Sequence, residues 1–542
     1  MRAAIYQLFV RHFSNTCEQQ VVDGTIEQNG CGKFAGITAK ALQEIRAMGF
    51  SHVWLTGVLE QASLTSYPGI PADDPLLMKG KAGSPYAVRD YFDVSADYAE
   101  EPELRLEEFA DLVDRCHEVG LKVLIDFVPN HGSREYGSDV KLKGIADFGA
   151  EDDNTKLFDV NNNFYYLNGE TFVVPTEANP PIKPDTDYIE NPARATGNDV
   201  FSPKPSINDW YETVKINYGV KPDGSYDFPT LPDDYADKDY RAHYAFWQDK
   251  DLPNSWYKFR DIALYWLDKG VDGFRYDMAE MVPVEFWSFL NSSIKMQKSD
   301  AFILAEVYNP TLYRPYIQQG KMDYLYDKVG FYDTVKAVMQ GKQSADTIFD
   351  IQSQVADIEE HMLHFLENHD EQRIASPDFA GSSEKGKPAM VVSTLMSRSP
   401  TLLYFGQAVG EDGSEDGGFG DPTRTSIFDY MGVPAHQAWM NNGKFDGGAL
   451  SKQQADLRAY YTKLMSLNTL PAIVGGDMQA VELTGSEQVI AFTRKLGQQL
   501  VLVVSNFSEN QQNVELTLNQ ALLPKLNHSG LTFTDNLENH AD

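Results

Sequence analysis

The chain has 542 residues and a formal net charge of -33 at pH 7, which leaves room for one large domain with appendages. This charge disfavours nucleic acid as a partner, because phosphate binding requires clustered Lys and Arg. Hydrophobic residues make up 42% of the chain, and no apolar run approaches the ~18 residues of a membrane span, so no membrane partner is predicted. We expect a soluble globular protein. Its charge would not repel a neutral substrate, but charge alone identifies no ligand.

The start of the chain and its cysteines predict the cellular compartment. "MRAAIYQLFV" lacks a charged leader followed by a long apolar stretch and a cleavage site. Three cysteines, Cys17, Cys31 and Cys116, are too few for a disulfide framework. We therefore predict a cytoplasmic protein with reduced thiols. The alternatives are a secreted chain whose leader has been removed and a Cys17–Cys31 disulfide.

The first 130 residues alternate between strand-like and helix-like segments. "AIYQLFV" (4–10) and "HVWLTGV" (52–58) have the composition of buried strands, and "ITAKALQEIRAMGF" (37–50) between them has helical apolar spacing. The rhythm repeats with a helix at "EFADLVDRCHEVG" (108–120) and a strand at "LKVLIDFV" (121–128). This order predicts a parallel α/β fold.

The rhythm stops between Gly132 and about Tyr257, where Asn, Asp, Pro and Tyr dominate. Because a structureless loop of that length is improbable, we predict a small irregular domain, residues 132–215, inserted after the third strand. Five further strands are then predicted: "VDGFRYD" (271–277), "AFILAEV" (301–307), "MDYLYD" (322–327), "MLHFLEN" (362–368) and "TLLYFG" (401–406). The eight strands predict a (β/α)₈ TIM barrel formed by residues 1–131 and 216–469.

The pattern changes again beyond the helix predicted at residues 453–468. Four segments follow without helices between them: "MQAVEL" (478–483), "VIAFTRKL" (489–496), "LVLVVSNF" (500–507) and "NVELTL" (513–518). Consecutive strands of this kind predict a C-terminal antiparallel β-sandwich, residues 470–542.

Four of the apolar segments end in polar residues: "LIDFVPNH" (124–131), "GFRYDMAE" (273–280), "ILAEVY" (303–308) and "LHFLENHDEQR" (363–373). In a parallel barrel such ends meet in a single cleft. Asp277 and Glu306 end neighbouring strands, so they can face each other as the nucleophile and the acid of a retaining glycosidase, ~5–5.5 Å apart. Asp370 ends the seventh strand and can bind ring hydroxyls.

Neighbouring residues fit the same chemistry. Arg275 lies two residues before Asp277, on the same side of the strand, and would keep that carboxylate ionised. Burial would help Glu306 to keep its proton. The side chains of His131 and His369 can donate to sugar hydroxyls. The rings of Tyr86 and Tyr91 offer faces for pyranose stacking.

At these residues the chain resembles the α-amylase superfamily, glycoside hydrolase family 13. The segments that are similar to its four signature regions are "DFVPNH" (126–131), "GFRYD" (273–277), "AEV" (305–307) and "ENHD" (367–370). The resemblance implies Asp277 as nucleophile, Glu306 as acid/base and Asp370 as transition-state stabiliser. It also implies that Tyr86, His131, Arg275 and His369 line the subsite of the cleaved glucose and that Asp126 supports the site.

Two departures from the family pattern matter. Ala87 follows Tyr86, where α-glucosidases that remove terminal glucose usually have Asp, and this favours an open cleft. Glu280 and Met281 replace a Lys-His pair whose His helps many amylases to organise a calcium site. No cofactor is expected for the chemistry itself.

A structural calcium ion stays open at two places. Asn130 matches the calcium-linked position of the family. Asp412 and Asp416 have the spacing that opens an EF-hand loop, although Thr423 stands where the closing Glu would be, so a solvated loop is the alternative.

The sequence thus predicts an α-amylase-type hydrolase that acts on α-1,4-linked glucans or maltooligosaccharides by double displacement. One alternative is transfer of the glycosyl group to another sugar, which would use the same carboxylates. The other is a catalytically silent sugar-binding protein on the same barrel. The sequence does not encode the oligomeric state, the preferred chain length or endo versus exo attack in a form that we can interpret.

Overall fold

A computed structural model describes residues 2–140, 142–175, 188–420, 422–519 and 534–537. Its centre is a parallel sheet of eight strands: Ala4–Phe9, His52–Thr56, Lys122–Phe127, Gly273–Tyr276, Phe302–Ala305, Tyr324–Tyr326, Met362–Leu363 and Thr401–Tyr404. Each strand pairs with its neighbours in sequence, and the first pairs with the eighth. A bridge between His364 and Thr401 closes the ring. The predicted (β/α)₈ barrel is confirmed.

The seventh strand is shorter than the predicted segment 362–368. Leu402 N–H donates to His364 O, and beyond this point the chain leaves the sheet. The side chain of Asn368 then accepts the N–H groups of two following residues, and the side chain of Glu367 accepts that of Ile374. Side-chain acceptors therefore replace sheet pairing and turn the chain into the loop that carries Asp370.

Helices pack around the barrel with one apolar face inward. In Ala39–Met48, the side chain of Thr38 caps the first turn, Gly49 ends the helix at φ 112°, and Leu42 and Ile45 are buried. The α-helices are Val10–Phe13, Ile26–Asn29, Ala39–Met48, Arg105–Glu118, Tyr240–Trp247, Asn254–Asp268, Val284–Gln297, Tyr313–Gln318, Asp333–Met339, Thr347–Gln354, Lys387–Leu395, Pro434–Met440, Lys452–Ser466 and Pro471–Gly475.

The segment after the third barrel strand is largely irregular where the structure describes it. His131–Ser133 pairs with Thr213–Lys215, and Tyr166–Leu167 pairs with Ala193–Arg194. Two strands of the preceding connection, Leu59–Gln61 and Val88–Val94, form another small sheet. Phe172, Ala193 and Tyr211 pack with Leu77 in a small core apart from that of the barrel. The boundaries 132–215 stay a prediction.

The C-terminal region contains two antiparallel sheets. The strands Asp477–Ala480, Val489–Leu496 and Gln499–Asn506 form one, and Glu482–Thr484 pairs with Glu515–Thr517 in the other. The predicted strand 478–483 is divided because the chain passes from the first sheet to the second at Val481, whose N–H donates to Ala491 O. Residues 520–533 and 538–542 of the predicted sandwich lie outside the described residues, and its boundaries stay a prediction.

Two expectations about the whole chain concern membrane spans and thiols. In the described part of the chain, the structure contains no helix with the length and apolarity needed to cross a membrane. Cys17, Cys31 and Cys116 are all free thiols. The alternative of a Cys17–Cys31 disulfide is therefore wrong for this structure.

Candidate active site

The two carboxylates predicted to carry the chemistry follow neighbouring barrel strands in register. Tyr276, the last residue of the fourth strand, pairs with Ala305, the last of the fifth, and Glu306 N–H donates to Tyr276 O at 3.0 Å. Asp277 and Glu306 therefore emerge at the same level of the barrel. Their side chains are only 8% and 4% exposed and line a cavity of about 250 Å³ at the C-terminal ends of the strands.

One buried guanidinium joins the two carboxylates. Arg275 Nη1 donates to Asp277 Oδ1 at 2.9 Å, and Nη2 lies 2.9 Å from Glu306 Oε2 in an ion pair. The rings of Trp54, Tyr86 and Tyr326 surround the guanidinium at 5.2–5.7 Å. These rings hold the cation in place, and the hydroxyl of Tyr326 also accepts a hydrogen bond from Arg275 Nε at 3.1 Å. Arg275 thus lies behind the cavity wall and orients both carboxylates.

The surroundings of Asp277 shift its pKa. Burial raises the pKa of Asp277 well above its usual range, the charge of Glu306 adds to this, and Arg275 opposes it. Ionising two buried carboxylates side by side is costly, which is why the neighbouring Glu306 adds to the rise in the pKa of Asp277. Among the described residues, the buried Asp277 Oδ2 has no hydrogen-bond partner.

Glu306 is fixed from its other side by residues that sequence reasoning missed. Tyr308 donates its hydroxyl to Glu306 Oε1 at 2.6 Å, and Met278 donates its N–H to Oε2 at 2.9 Å. Met278 has φ 44°, a left-handed conformation that is unfavourable for a residue other than glycine. Glu280 accepts Tyr308 N–H at 2.9 Å and so holds the tyrosine loop.

Asp370 reaches the cavity from the loop after the seventh strand. Its Oδ2 lies 2.9 Å from His369 Nε2, and His369 Nδ1 lies 2.9 Å from Gln7 Nε2. Because an amide NH₂ group can only donate, Nδ1 accepts and Nε2 carries the proton. Burial alone would raise the pKa of Asp370, but His369 and Arg275 outweigh it and lower the pKa to about 2. Asp370 is therefore an anion throughout the neutral range.

The predicted aromatic and histidine contacts divide into two groups. Tyr86 and His131 line the cavity, and the ring of Trp210 lies 5.1 Å from that of His131. Burial, aided by the charge of Lys215, lowers the pKa of His131 to about 3, so its imidazole is neutral. His369 is 3% exposed and stacks on Tyr86 with ring centroids 5.2 Å apart, which places it behind the cavity wall.

The structure does not bring Tyr91 into the cavity, and this corrects its prediction as a stacking residue. Its side chain is fully buried, and its hydroxyl bonds to Val128 O at 2.8 Å and His131 O at 2.6 Å. Tyr91 thus supports the loop that carries His131. Asp126 has the supporting place that the resemblance implied, because its Oδ2 accepts from Trp54 Nε1 and Gly57 N.

Residues from several loops form the rest of the cavity wall. Lys79 and Glu212 face each other across it with 3.0 Å between Nζ and Oε2. Phe428 from a later loop and Trp210 complete that part of the lining. Ala87, on which the expectation of an open cleft rested, is buried against Met78 and does not line the cavity. The shape of the cleft therefore depends on other residues than Ala87.

The environment of Asn130 does not fit a bound calcium ion. Asn130 Oδ1 accepts a hydrogen bond from Lys215 Nζ at 2.5 Å, and the amide Nδ2 donates to Gly197 O at 2.8 Å. An ammonium group therefore occupies the position where a cation would meet this oxygen.

The second candidate metal residues bind their own loop. Asp412 Oδ1 accepts Ser414 N–H and Asp416 Oδ1 accepts Gly418 N–H, each at 3.0 Å. In the described ranges, neither Asp412 nor Asp416 belongs to a group of three or more Asp, Glu, His or Cys residues whose ligand atoms lie close enough together to hold a metal ion. These bonds fit the alternative of a solvated loop, and calcium at this place stays a prediction.

Comparison with known proteins tests the resemblance. The family model described as "Alpha amylase, catalytic domain" matches residues 7–152 and 245–458. The chain belongs to the alpha-amylase family. Members of this family are glycoside hydrolases, so the chain is an enzyme of that class. The residues matched by the family model include Asp277, Glu306 and Asp370.

Individual relatives within the family are distant. Alpha-amylase 3 of Dictyoglomus thermophilum is 22% identical over 93% of this chain and 85% of its own length. A 4-alpha-glucanotransferase of Thermotoga maritima is 23% identical over 83% of each chain. Among solved structures, a noncanonic maltogenic alpha-amylase from Thermotoga neapolitana has a TM-score of 0.59 at 19% identity, covering 99% of this chain and 92% of its own. That structural likeness supports the fold alone.

Proposed function

We propose that this protein hydrolyses α-1,4-glucosidic bonds in starch-type glucans or maltooligosaccharides, with retention of the anomeric configuration. The observation that carries the proposal is the pair Asp277 and Glu306, joined by Arg275 at adjacent strand ends of the barrel. A retaining glycosidase requires two such carboxyl groups beside one sugar ring. The relative named alpha-amylase supports the choice of substrate.

In the first step, the free Oδ2 of Asp277 attacks the anomeric carbon. The bond from this carbon to the glycosidic oxygen breaks, and Glu306 gives its proton to that oxygen. Positive charge that develops on the sugar stabilises the ionised form of Asp277, which is the form that attacks. Asp370, an anion at neutral pH, accepts hydrogen bonds from ring hydroxyls as the ring distorts.

In the second step, Glu306 acts as a base. It removes a proton from water while the water oxygen bonds to the anomeric carbon and the ester bond to Asp277 breaks. The two displacements restore the original anomer. Tyr308 and Met278, which donate to the two oxygens of Glu306, keep it in position through both steps.

Transfer to a second sugar is the other candidate function. A sugar hydroxyl can replace water in the second step without any change in the carboxylates. The likeness to a 4-alpha-glucanotransferase over 83% of each chain supports this candidate. Longer products than the substrate would distinguish transfer from hydrolysis. For either reaction we propose a cytoplasmic enzyme, in keeping with its three free thiols.

The test follows cleavage of maltoheptaose by the wild-type chain with proton NMR of the products. We expect the α-anomer to form first, and Asp277→Asn to abolish turnover. Asp249→Asn, a change at an exposed surface carboxylate, is the control and should leave the rate unchanged. Initial release of the β-anomer would contradict retention. Binding without turnover of any α-glucan would leave only the sugar-binding alternative.

A further inference from the structure

Lys215 is a buried lysine at the end of the strand Thr213–Lys215, and it pairs with His131 in the antiparallel register. Its side chain is 7% exposed. Its Nζ lies 2.5 Å from Asn130 Oδ1, 3.0 Å from Asp199 Oδ1 and 3.2 Å from Met281 O. All three partners can only accept hydrogen bonds, so the group that satisfies them is an ammonium with each proton donated.

The three oxygens come from separate parts of the fold. Asn130 follows the third barrel strand, Asp199 belongs to the inserted segment, and Met281 lies in the turn after Asp277. An amide, a carboxylate and a backbone carbonyl are ligands that hard metal cations also take. The three oxygens, here named the oxygen cage, thus surround a single positive charge. The cage joins the inserted segment to two of the loops that carry cavity residues, those after the third and fourth barrel strands.

The backbone next to the oxygen cage adopts unusual conformations at Asp199 and Gly197. Asp199 has φ 63°, a left-handed conformation, and its N–H donates to Thr196 O. Gly197 accepts from the amide of Asn130, and a Cβ at Gly197 would lie 2.4 Å from Thr213 Oγ1. The loop can approach Asn130 only because residue 197 has no side chain. The left-handed conformation of Asp199 costs free energy, so a strong interaction is needed to maintain it. The contact of Asp199 with the Lys215 ammonium supplies that interaction.

We propose that Lys215 is a built-in cation that takes the place of a metal ion in the oxygen cage and holds the inserted segment on the barrel. Calcium takes ~6–8 oxygen ligands at ~2.3–2.6 Å, which it cannot gather while Nζ occupies the centre. The link between the inserted segment and the loop after Asp277 is therefore independent of metal. Truncation of Lys215 leaves the three oxygens in place and converts the cage into a site open to an added cation.

The experiment measures the melting temperature, Tm, of the full-length protein in EDTA and in millimolar CaCl₂. The wild type should have the same Tm in both. Lys215→Ala should lower Tm in EDTA by at least about 5 °C, because the cage oxygens then lack a cation. CaCl₂ should recover much of this loss, and the rate on maltoheptaose at a temperature below Tm should recover in parallel.

Lys258→Ala is the matched control. Lys258 is also buried, and its Nζ donates to Asp147 O and to Asn163 Oδ1, which lie within one region of the insertion. This variant should lose stability without a gain from CaCl₂. Lys215→Met, which fills the cage with an apolar chain, should likewise gain nothing from calcium.

Three results would overturn the proposal. One is a fall in the wild-type Tm when EDTA removes metal. Another is a Tm of Lys215→Ala equal to that of the wild type. The third is a calcium shift for Lys215→Ala no larger than that for Lys258→Ala. If Lys215→Ala does not fold, Asp199→Ala replaces it; this change removes one oxygen of the cage, and an unchanged Tm would equally contradict the role of Lys215. None of these stability readouts depends on the proposed activity.

Discussion

Residues at the ends of barrel strands and residues on loops reach the same cavity by different means. Asp277 and Glu306 are placed by strand register, and the guanidinium that joins them belongs to the fourth strand itself. Tyr308, Lys79 and Glu212 are placed by a few side-chain contacts. The strand-end group therefore has its geometry fixed by the most cooperative part of the fold, whereas each loop residue depends on one or two bonds.

The difference also separates two aspects of function. Carboxylates on strand ends determine the reaction class, because bond cleavage needs them at a fixed separation. Loop residues around them determine which sugar fits and how well Glu306 is held. We therefore expect substitutions of the three carboxylates, including Asp370 on its loop, to reduce turnover by orders of magnitude, and substitutions of the other loop residues to change rate or affinity by smaller factors.

The largest effect is expected for Glu306→Gln. Loss of the acid should lower kcat on maltoheptaose by roughly 10²- to 10⁴-fold. An aryl maltooligoside, whose leaving group needs little protonation, should lose far less in the first step. Glu118→Gln, on an exposed helix surface, serves as the control. Equal losses on the two substrates, measured by initial rates, would remove Glu306 from the acid role.

Asp370→Asn should give the next largest effect and also a change in pH dependence. We expect kcat to fall by roughly 10²- to 10³-fold, since an anion beside the distorted ring is lost. The negative charge of Asp370 helps to raise the pKa of Asp277, so its removal lowers that pKa. Activity requires ionised Asp277, and the acid limb of the kcat/KM profile should therefore move to lower pH. An acid limb that stays in place or moves upward would contradict this coupling.

Tyr308→Phe tests the loop group directly. The change removes one hydrogen bond to Glu306 and should lower kcat by about tenfold, with little change in KM. Tyr226→Phe is the matched control, because Tyr226 is half exposed and is not among the residues that line the cavity. A loss as large as that of Glu306→Gln would break the distinction between strand-end and loop residues.

The same distinction explains what the sequence could predict. The barrel and its strand-end residues were predictable because apolar runs of the right length mark the strands, and a polar residue directly after a strand can only emerge at its end. Tyr308 carried a usable signal, since it lies two residues beyond Glu306 in "ILAEVY" (303–308). Alternation of side chains in an extended segment places two such residues on the same side.

Contacts between distant loops could not be predicted in this way. Lys79 and Glu212 are separated by more than a hundred residues, and no periodic pattern relates them. Tyr91 shows the opposite error: an aromatic residue in a motif suggested a sugar contact, but its hydroxyl binds two backbone carbonyls. Asn130 shows the same limit, because its partner Lys215 becomes visible only when the inserted segment folds back onto the barrel.

The smallest effect is expected for Lys79→Met at the cavity wall. Its ion pair with Glu212 is mostly buried in the cavity wall, so it can affect sugar binding without affecting bond cleavage. We expect KM for maltoheptaose to rise by about threefold at constant kcat, the pattern of an interaction made equally in the ground state and the transition state. Glu212→Gln should give the same pattern, and the double variant should be no worse than either single one, because both remove the same pair. A fall in kcat for either variant would show that this loop contact also positions the carboxylates. The distinction between strand-end residues that control cleavage and loop residues that control binding would then not hold for Lys79 and Glu212.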